Sequence, residues 1–560
     1  MNKRCLSVAI SLLLLALFFS GCAKDDQKIK ASLESITAEE LSKDVEILSS
    51  DEFEGRGPAS EGEEKTISFL KEEFQKAGMK PGNGGSFFQE VPLVKITAGP
   101  VTKLETKSDK ESMLFAYGDE FVGVTLREVE KVSLNDSDMV FVGYGIVAPE
   151  YNWNDYQGLD VHGKTVLMLV NDPGFATKNP ELFKGRAMTY YGRWTYKFEE
   201  AARQGAEGVL IVHETEPASY PWAVVKNGWT GPQFHLRSKD KNLSRCAVEG
   251  WVTLETARKL FESAGLNYDD LKPAAAKRGF KAIPLGLKAS VTIKNSLKQS
   301  KSNNVIALLP GAGRADECII YSAHWDHFGL DPNLKGDQIY NGAVDNATGT
   351  AALIELAEAF KKLERPPSRS IIFLAVTCEE QGLLGSEYYA THPVFPTAKT
   401  VADINMDALN VYGKMNDITV IGYGNSELDN YVEAAAAKQG RRVRPDPTPE
   451  KGSFYRSDHF SFAKQGIPAL YTSSGIDSVE HGEEWALAKK EEYTAKNYHK
   501  PSDEFDPNWD LSGAIQDIRL LFRVGYKLSM ESTFPNWKEG SEFKAKRDND
   551  LEAARKKEKL

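Results

Sequence analysis

The sequence predicts an α/β protein: a mostly parallel central sheet flanked by helices, with a β-rich domain inserted into it. Three observations carry this. The runs ECIIYSAHWDH (Glu317 to His327), RSIIFLAVTCEE (Arg369 to Glu380) and TVADINMDA (Thr400 to Ala408) each pass from an apolar, strand-like stretch into an acid or a histidine. Buried parallel strands read this way when their carboxyl ends carry a site. Between the first two runs, NATGTAALIELAEAFKKLERPP sets Ala351, Ile354, Ala357 and Phe360 on one helical face and ends at Pro366 and Pro367. Between about Val132 and Pro284 the texture changes to short β-rich runs broken by glycine, aspartate and asparagine.

At the start of the chain, Lys3 and Arg4 precede the apolar run Leu6 to Phe19, and Ser20 and Gly21 precede Cys22. This is the layout of a targeting segment, and the run is shorter than the roughly 20 residues that span a bilayer. Phe19-Ser20-Gly21-Cys22 resembles the bacterial lipobox. That resemblance implies removal of residues 1–21, lipid on Cys22, a polar tether over 22–36 and a lipid-anchored place in the bacterial cell envelope.

From Thr37, with Glu40 three residues on as a capping box, a helix is expected to Leu48. A second is expected from Glu61 to Ala77, with Ile67, Leu70 and Phe74 on one face and Gly78 closing it. These belong to the first part of the main domain, 37–129. The inserted domain is expected over 130–284, with strands at Val140 to Val142 and Thr165 to Val170 and a helix from Lys197 to Gln204 leading into VLIVH. Its histidines, His162, His213 and His235, read as packed or surface side chains. The main domain resumes over 285–535. A helix is expected at Glu427 to Gln439, a loop-rich stretch over Arg441 to Glu504 and an amphipathic helix from Leu511 to Met530. The charged tail, 536–560, reads as solvated and frayed.

The 560 residues exceed one ordinary domain, and 41% hydrophobic with 27% charged residues is a globular balance. A formal net charge of −11, with no concentrated basic block, excludes nucleic acid as a partner class. Cys246, Cys318 and Cys378 are an odd set and read as buried small hydrophobes.

If the three apolar runs are neighbouring parallel strands, His324, Glu379, Glu380 and Asp407 reach one sheet edge, and Asp345 joins them just ahead of a helix. Carboxylates crowded out of water repel one another, and bound cations relieve that repulsion. Imidazole mixed with carboxylate suits zinc better than calcium or magnesium. Singly, Asp345 could be an N-cap, the glutamates could favour a helix start, and Asp407 could end a strand. Co-occurrence separates the readings: His-x-Asp, Gly-Ala-x-Asp-Asn, Glu-Glu, Asn-x-Asp and a late Tyr-His follow one another.

In that order, and with the opening LSSDEFEGRGPASEG, these motifs resemble the co-catalytic zinc aminopeptidases, the family that includes glutamate carboxypeptidase and the transferrin receptor. The resemblance implies two zinc ions, one held by His324, Asp345 and Asp407, the other by Asp345, Glu380 and His499, with Asp345 bridging. It implies Glu379 as general base, Asp326 as the acid that orients His324, and Tyr498 as a donor to the developing oxyanion. His481 competes with His499 for its role. His327 is assigned to packing or a hydrogen bond, while Asp458 and His459 are left between structure and substrate. The inserted segment resembles a protease-associated domain. Peptides are the implied substrates. Glutaminyl-cyclase-like and glutamate-carboxypeptidase-like enzymes, and a receptor without metal, stay open as alternatives.

Overall fold

The computed structural model describes residues 27–99 and 103–558, so the targeting segment and Cys22 lie outside the described residues. The chain divides into two compact units. One comprises Met1–Glu90, Asn303–Pro445 and Asp458–Leu560, and the other Val91–Ser302 with Asp446–Ser457. The second unit therefore begins earlier and ends later than the composition change suggested. Its boundaries fall inside the long strands Phe88–Ala98 and Ile283–Leu309, where the chain stays extended.

In the first unit, strands Arg369–Val376, Arg314–His324, Thr400–Asn405 and Ala469–Ser474 lie parallel in that spatial order. Residues 305–309 pair antiparallel at one side, and Asp417–Ile421 does so at the other. The mostly parallel sheet is as expected, and both of its faces are covered. Ile319, Tyr321, Ile371, Phe373, Ala402 and Ile404 are all fully buried. The continuous apolar runs follow from this two-sided burial.

Helices Ala38–Leu48, Glu61–Lys76, Thr348–Lys361 and Ser512–Met530 match the expected ones within a residue or two. The Thr37 side chain accepts the Glu40 N–H, so half of the predicted capping box is present, and the Thr37 N–H goes to Glu355 instead of Glu40. Three elements differ from expectation. Lys30–Ser35 is helical, flanked by the buried Ile29 and Ile36, so the end of the tether is docked onto the core. Within the stretch read as loop-rich, Gly482–Lys496 is a helix that buries only Ala486, and a helix without an apolar stripe leaves no periodic signal. The tail forms the helix Lys544–Glu558, fastened by the buried Arg547, whose guanidinium donates to the carbonyls of Thr397 and Thr400.

Where helix Ala38–Leu48 packs on Thr348–Lys361, two buried acids meet. Burial, then repulsion from Glu73, Glu40 and Glu358 against the pull of Lys43, raises Asp44 to about 7. Burial raises Glu355 to about 8, although it accepts the Thr37 N–H, with Glu358, Asp44 and Glu40 adding to the rise. In the unfolded chain both acids lose their protons near pH 4. Between pH ~4 and ~8 the folded state thus holds more protons than the unfolded state, and stability falls as pH rises. The slope is on the order of 1.4 kcal/mol per pH unit for each full proton of difference. Denaturant melts at pH 5 and pH 8 should show the loss, and Asp44→Asn with Glu355→Gln should flatten it. An equal slope in the double variant would rule this source out.

The second unit holds a parallel run of its own: Lys131–Phe141, Thr165–Leu169, Gly208–His213 and Val248–Thr253. Helix Trp194–Arg203 precedes Gly208–His213, close to the predicted bounds. His162 is exposed beside Asp160, whereas His213 and His235 are packed. Cys246, Cys318 and Cys378 are buried thiols.

Candidate metal centre

Register brings the motifs together. Val376 lies beside His324, and Ser322 beside Asn405, so Glu379, Glu380 and Asp407 leave the sheet at the edge where His324 ends its strand. Asp345 enters from the turn ahead of helix Thr348–Lys361, and His499 from the loop after Gly482–Lys496.

His324 Nε2 lies 3.2 Å from Asp345 Oδ1 and 3.4 Å from Asp407 Oδ1. His499 Nε2 lies 3.3 Å from Asp345 Oδ2 and 3.2 Å from Glu380 Oε2. The two oxygens of Asp345 thus face different imidazoles, which is the geometry of a bridging carboxylate. Ligand atoms of His324, Asp345 and Glu380 lie within 4.8 Å of one another, as do those of His324, Glu379 and Asp407. All five ligand candidates and Glu379 therefore converge, and His481 is elsewhere, packed against Trp485.

The donor set fits zinc: imidazole nitrogens and carboxylate oxygens converge at ligand spacing. Glu380 Oε1 is buried and has no hydrogen bond, although it lies 2.6 Å from His327 Nδ1. His327 therefore touches a ligand candidate as well as packing. Burial, then repulsion from Glu380 and Asp407 against the pull of His324, holds the Glu379 carboxyl well above its ordinary range. Burial and Asp345 do the same to Glu380, with His499 pulling the other way. Burial also acts to raise Asp345, but His324 and His499 outweigh it and hold that carboxyl below the usual range.

Asp326 approaches His324 with two of its oxygens. Its carboxylate stands 3.9 Å from His324 Nδ1, while its main-chain carbonyl lies 3.1 Å away. A carbonyl only accepts, so Nδ1 carries a proton, and Nε2 is the nitrogen that faces the acids. The carboxylate is engaged elsewhere, accepting the Glu379 N–H at 3.0 Å, so Asp326 positions the base as well as the ligand.

Three further residues, of which Asn346 lies in a motif singled out by sequence, position the centre. Asp503 accepts the N–H groups of Val344 and Asp345. Asn346 donates to the Met406 carbonyl and accepts from Ala408, tying the Asp345 turn to the Asp407 loop. Arg56, fully buried, donates to the carbonyls of Trp325, Leu48, Asn341 and Gly342, joining the loops on which His324 and Asp345 sit. Its backbone runs left-handed through Glu54, Gly55 and Arg56, and a Cβ on Gly55 would sit 2.5 Å from the carbonyl oxygens of Gly329 and Tyr340. Only glycine fits there. The quoted segment DEFEGRG contains both residues, yet a lone arginine in a loop reads as solvated.

Tyr498 stacks on His499 with ring centres 3.7 Å apart and is 43% exposed. Partial burial and the charges of Asp345, Glu380, Glu379 and Asp407 raise its pKa well above the usual phenol value, leaving it an O–H donor at neutral pH. Asp458 and His459 are fully buried. His459 stacks on Tyr471, and burial raises Asp458 to about 7.

Residues 304–522 match the sequence pattern of peptidase family M28. That stretch is a peptidase family M28 domain. It contains all six residues at the centre: His324, Asp345, Glu379, Glu380, Asp407 and His499. Aminopeptidase NAALADL1 of Mus musculus is 34% identical over 131 residues, 22% of this chain and 16% of the relative. Aminopeptidase YwaD of Bacillus subtilis is 25% identical over 237 residues, 41% of this chain and 45% of the relative. The chain thus spans less than half the length of these relatives. Among solved structures, an aminopeptidase from Aneurinibacillus sp. strain AM-1 superposes with a TM-score of 0.49 at 20% identity, covering 91% of this chain and 97% of that one.

Proposed function

We propose that the protein is a zinc-dependent exopeptidase that removes N-terminal residues from peptides, working from the bacterial envelope where lipid on Cys22 holds it. The observation that carries this is Asp345, whose two oxygens face His324 and His499 separately, so that the M28 domain presents two adjacent half-sites. His324, Asp345 and Asp407 would hold one zinc, and Asp345, Glu380 and His499 the other. Zinc bound there supplies Lewis-acid polarisation of the scissile carbonyl and acidifies a nucleophilic water.

The remaining work falls to side chains of this chain. Glu379 takes the proton from the attacking water and returns it to the leaving amine. The Tyr498 hydroxyl donates to the oxygen on which charge develops. Asp326, Asp503, Asn346 and Arg56 hold these groups in place, which removes reorganisation from the reaction itself.

The test is an assay on aminoacyl substrates with free and with acetylated amino ends. Chelator should abolish cleavage of the free-amino substrate, zinc should restore it, and the acetylated substrate should stay uncut. Activity surviving in metal-free protein would end the zinc reading. Preferential cleavage of the blocked substrate would favour action at the carboxyl end.

A further inference from the structure

The second unit contains a cavity of about 680 Å³ that the peptidase chemistry does not use. It is lined by Leu169 and Val170, by Asn171 and His213, and by Thr253, so it sits outside the carboxyl ends of three adjacent parallel strands. That is where open α/β sheets bind small molecules, and its volume is that of a ligand site.

Most polar groups on its wall are already satisfied. Asp172 caps the turn Pro173–Thr177 and accepts from Thr189. Glu214 accepts from Tyr268 at 2.9 Å and pairs with Lys272 at 2.5 Å, and Glu255 pairs with Lys259. Besides the exposed Thr215 hydroxyl, four groups are left over. The Tyr144 hydroxyl, on a residue 3% exposed, has no hydrogen-bond partner among the described residues. His213, 4% exposed, uses Nε2 toward the Tyr220 carbonyl at 3.0 Å. Because a carbonyl only accepts, Nε2 bears the hydrogen and Nδ1 is left as an acceptor. Lys178 and Glu216 line the cavity with no ion pair among the described residues.

The unsatisfied set is therefore one cation, one anion, one hydroxyl donor and one ring acceptor, above a floor that includes Phe175 and Leu254. Two polar groups on nearly buried residues thus line one cavity without a protein partner, and together they point to a ligand that completes them. We propose that this cavity binds a zwitterionic α-amino acid or short peptide. Its carboxylate is met by Tyr144 and Lys178, its ammonium by His213 and Glu216, and its side chain by the apolar floor. Such a ligand is also the product class of the proposed reaction, and that connection rests on the peptidase reading. The site itself does not.

The experiment uses the full chain, stripped of metal so that no turnover occurs, titrated with L-leucine in a calorimeter. Tryptophan fluorescence gives a second readout, since the rings of Trp222 and Trp251 lie 5.5 and 6.1 Å from His213. Saturable binding is expected, at least about tenfold weaker for leucinamide, which lacks the carboxylate, and for N-acetyl-leucine, which lacks the ammonium. Loss of one hydrogen bond to a charged group predicts that Tyr144→Phe weakens leucine about tenfold. The exposed Glu216→Gln, which leaves the packing untouched, should weaken leucine but not N-acetyl-leucine. Absent binding, equal binding of the three compounds, or unchanged affinity in both variants overturns the proposal. Binding without hydrolysis by the zinc-loaded protein would overturn the peptidase reading alone.

Discussion

Glu379→Gln is expected to lower turnover by about three orders of magnitude while leaving metal content unchanged, since a positioned general base contributes roughly 10²–10⁴ in rate. Glutamine keeps the volume of glutamate and can still accept a hydrogen bond, but it cannot take up a proton at neutral pH. The main-chain N–H of residue 379, held by the Asp326 carboxylate at 3.0 Å, is unaffected by the change, so the side chain is presented as before. The geometry also offers a competing role. The Glu379 carboxylate lies in the same cluster as His324 and Asp407, within 4.8 Å. Turnover and zinc stoichiometry should therefore be measured on the same preparation. A fall in bound zinc would make Glu379 a ligand and send the search for the base elsewhere.

Asp345→Ala is expected to lose both zinc ions, and activity should drop to background. One carboxylate serves both half-sites, so its removal leaves each with two donors from the predicted set. Asp407→Ala should instead cost one metal and leave the Asp345, Glu380 and His499 site filled. A difference in stability should accompany this. A ligand at a thousand times its dissociation constant stabilises the native state by about 4 kcal/mol. The wild-type melting temperature should thus rise with added zinc, and that of Asp345→Ala should not. The metal-free proteins should melt close together, because Asp407 and Glu380 still face His324 and His499 after the substitution. A variant that kept one firmly bound zinc would show that Asp345 does not bridge.

Much of the candidate site was legible because its residues stand at strand ends. A buried parallel strand must be apolar along its length, so the first charged group after ECIIYSA, RSIIFLAVTC or TVADINM marks where the chain leaves the sheet. Caps were legible for a similar reason, as at Thr37, because the signal lies within four residues. The long-range hydrogen bonds were not. Arg56 reaches Trp325 across 269 residues and Gly342 across 286, and no local pattern announces such partners. The Asp326 geometry is of the same kind, since spacing placed an acid two residues after a histidine but could not say which of its oxygens the imidazole meets most closely.

By itself, the order of residues determined the fold class, the helices with an apolar stripe and the charged candidates at the strand ends, since each depends on periodicity or on a motif contained in a short window. Only the tertiary structure decided that one carboxylate faces two imidazoles, that a buried arginine joins their loops, that a charged tail docks, and where the second unit begins. These depend on which distant segments share a small volume, and that is set by sheet register and side-chain packing, to which nearest-neighbour chemistry is blind.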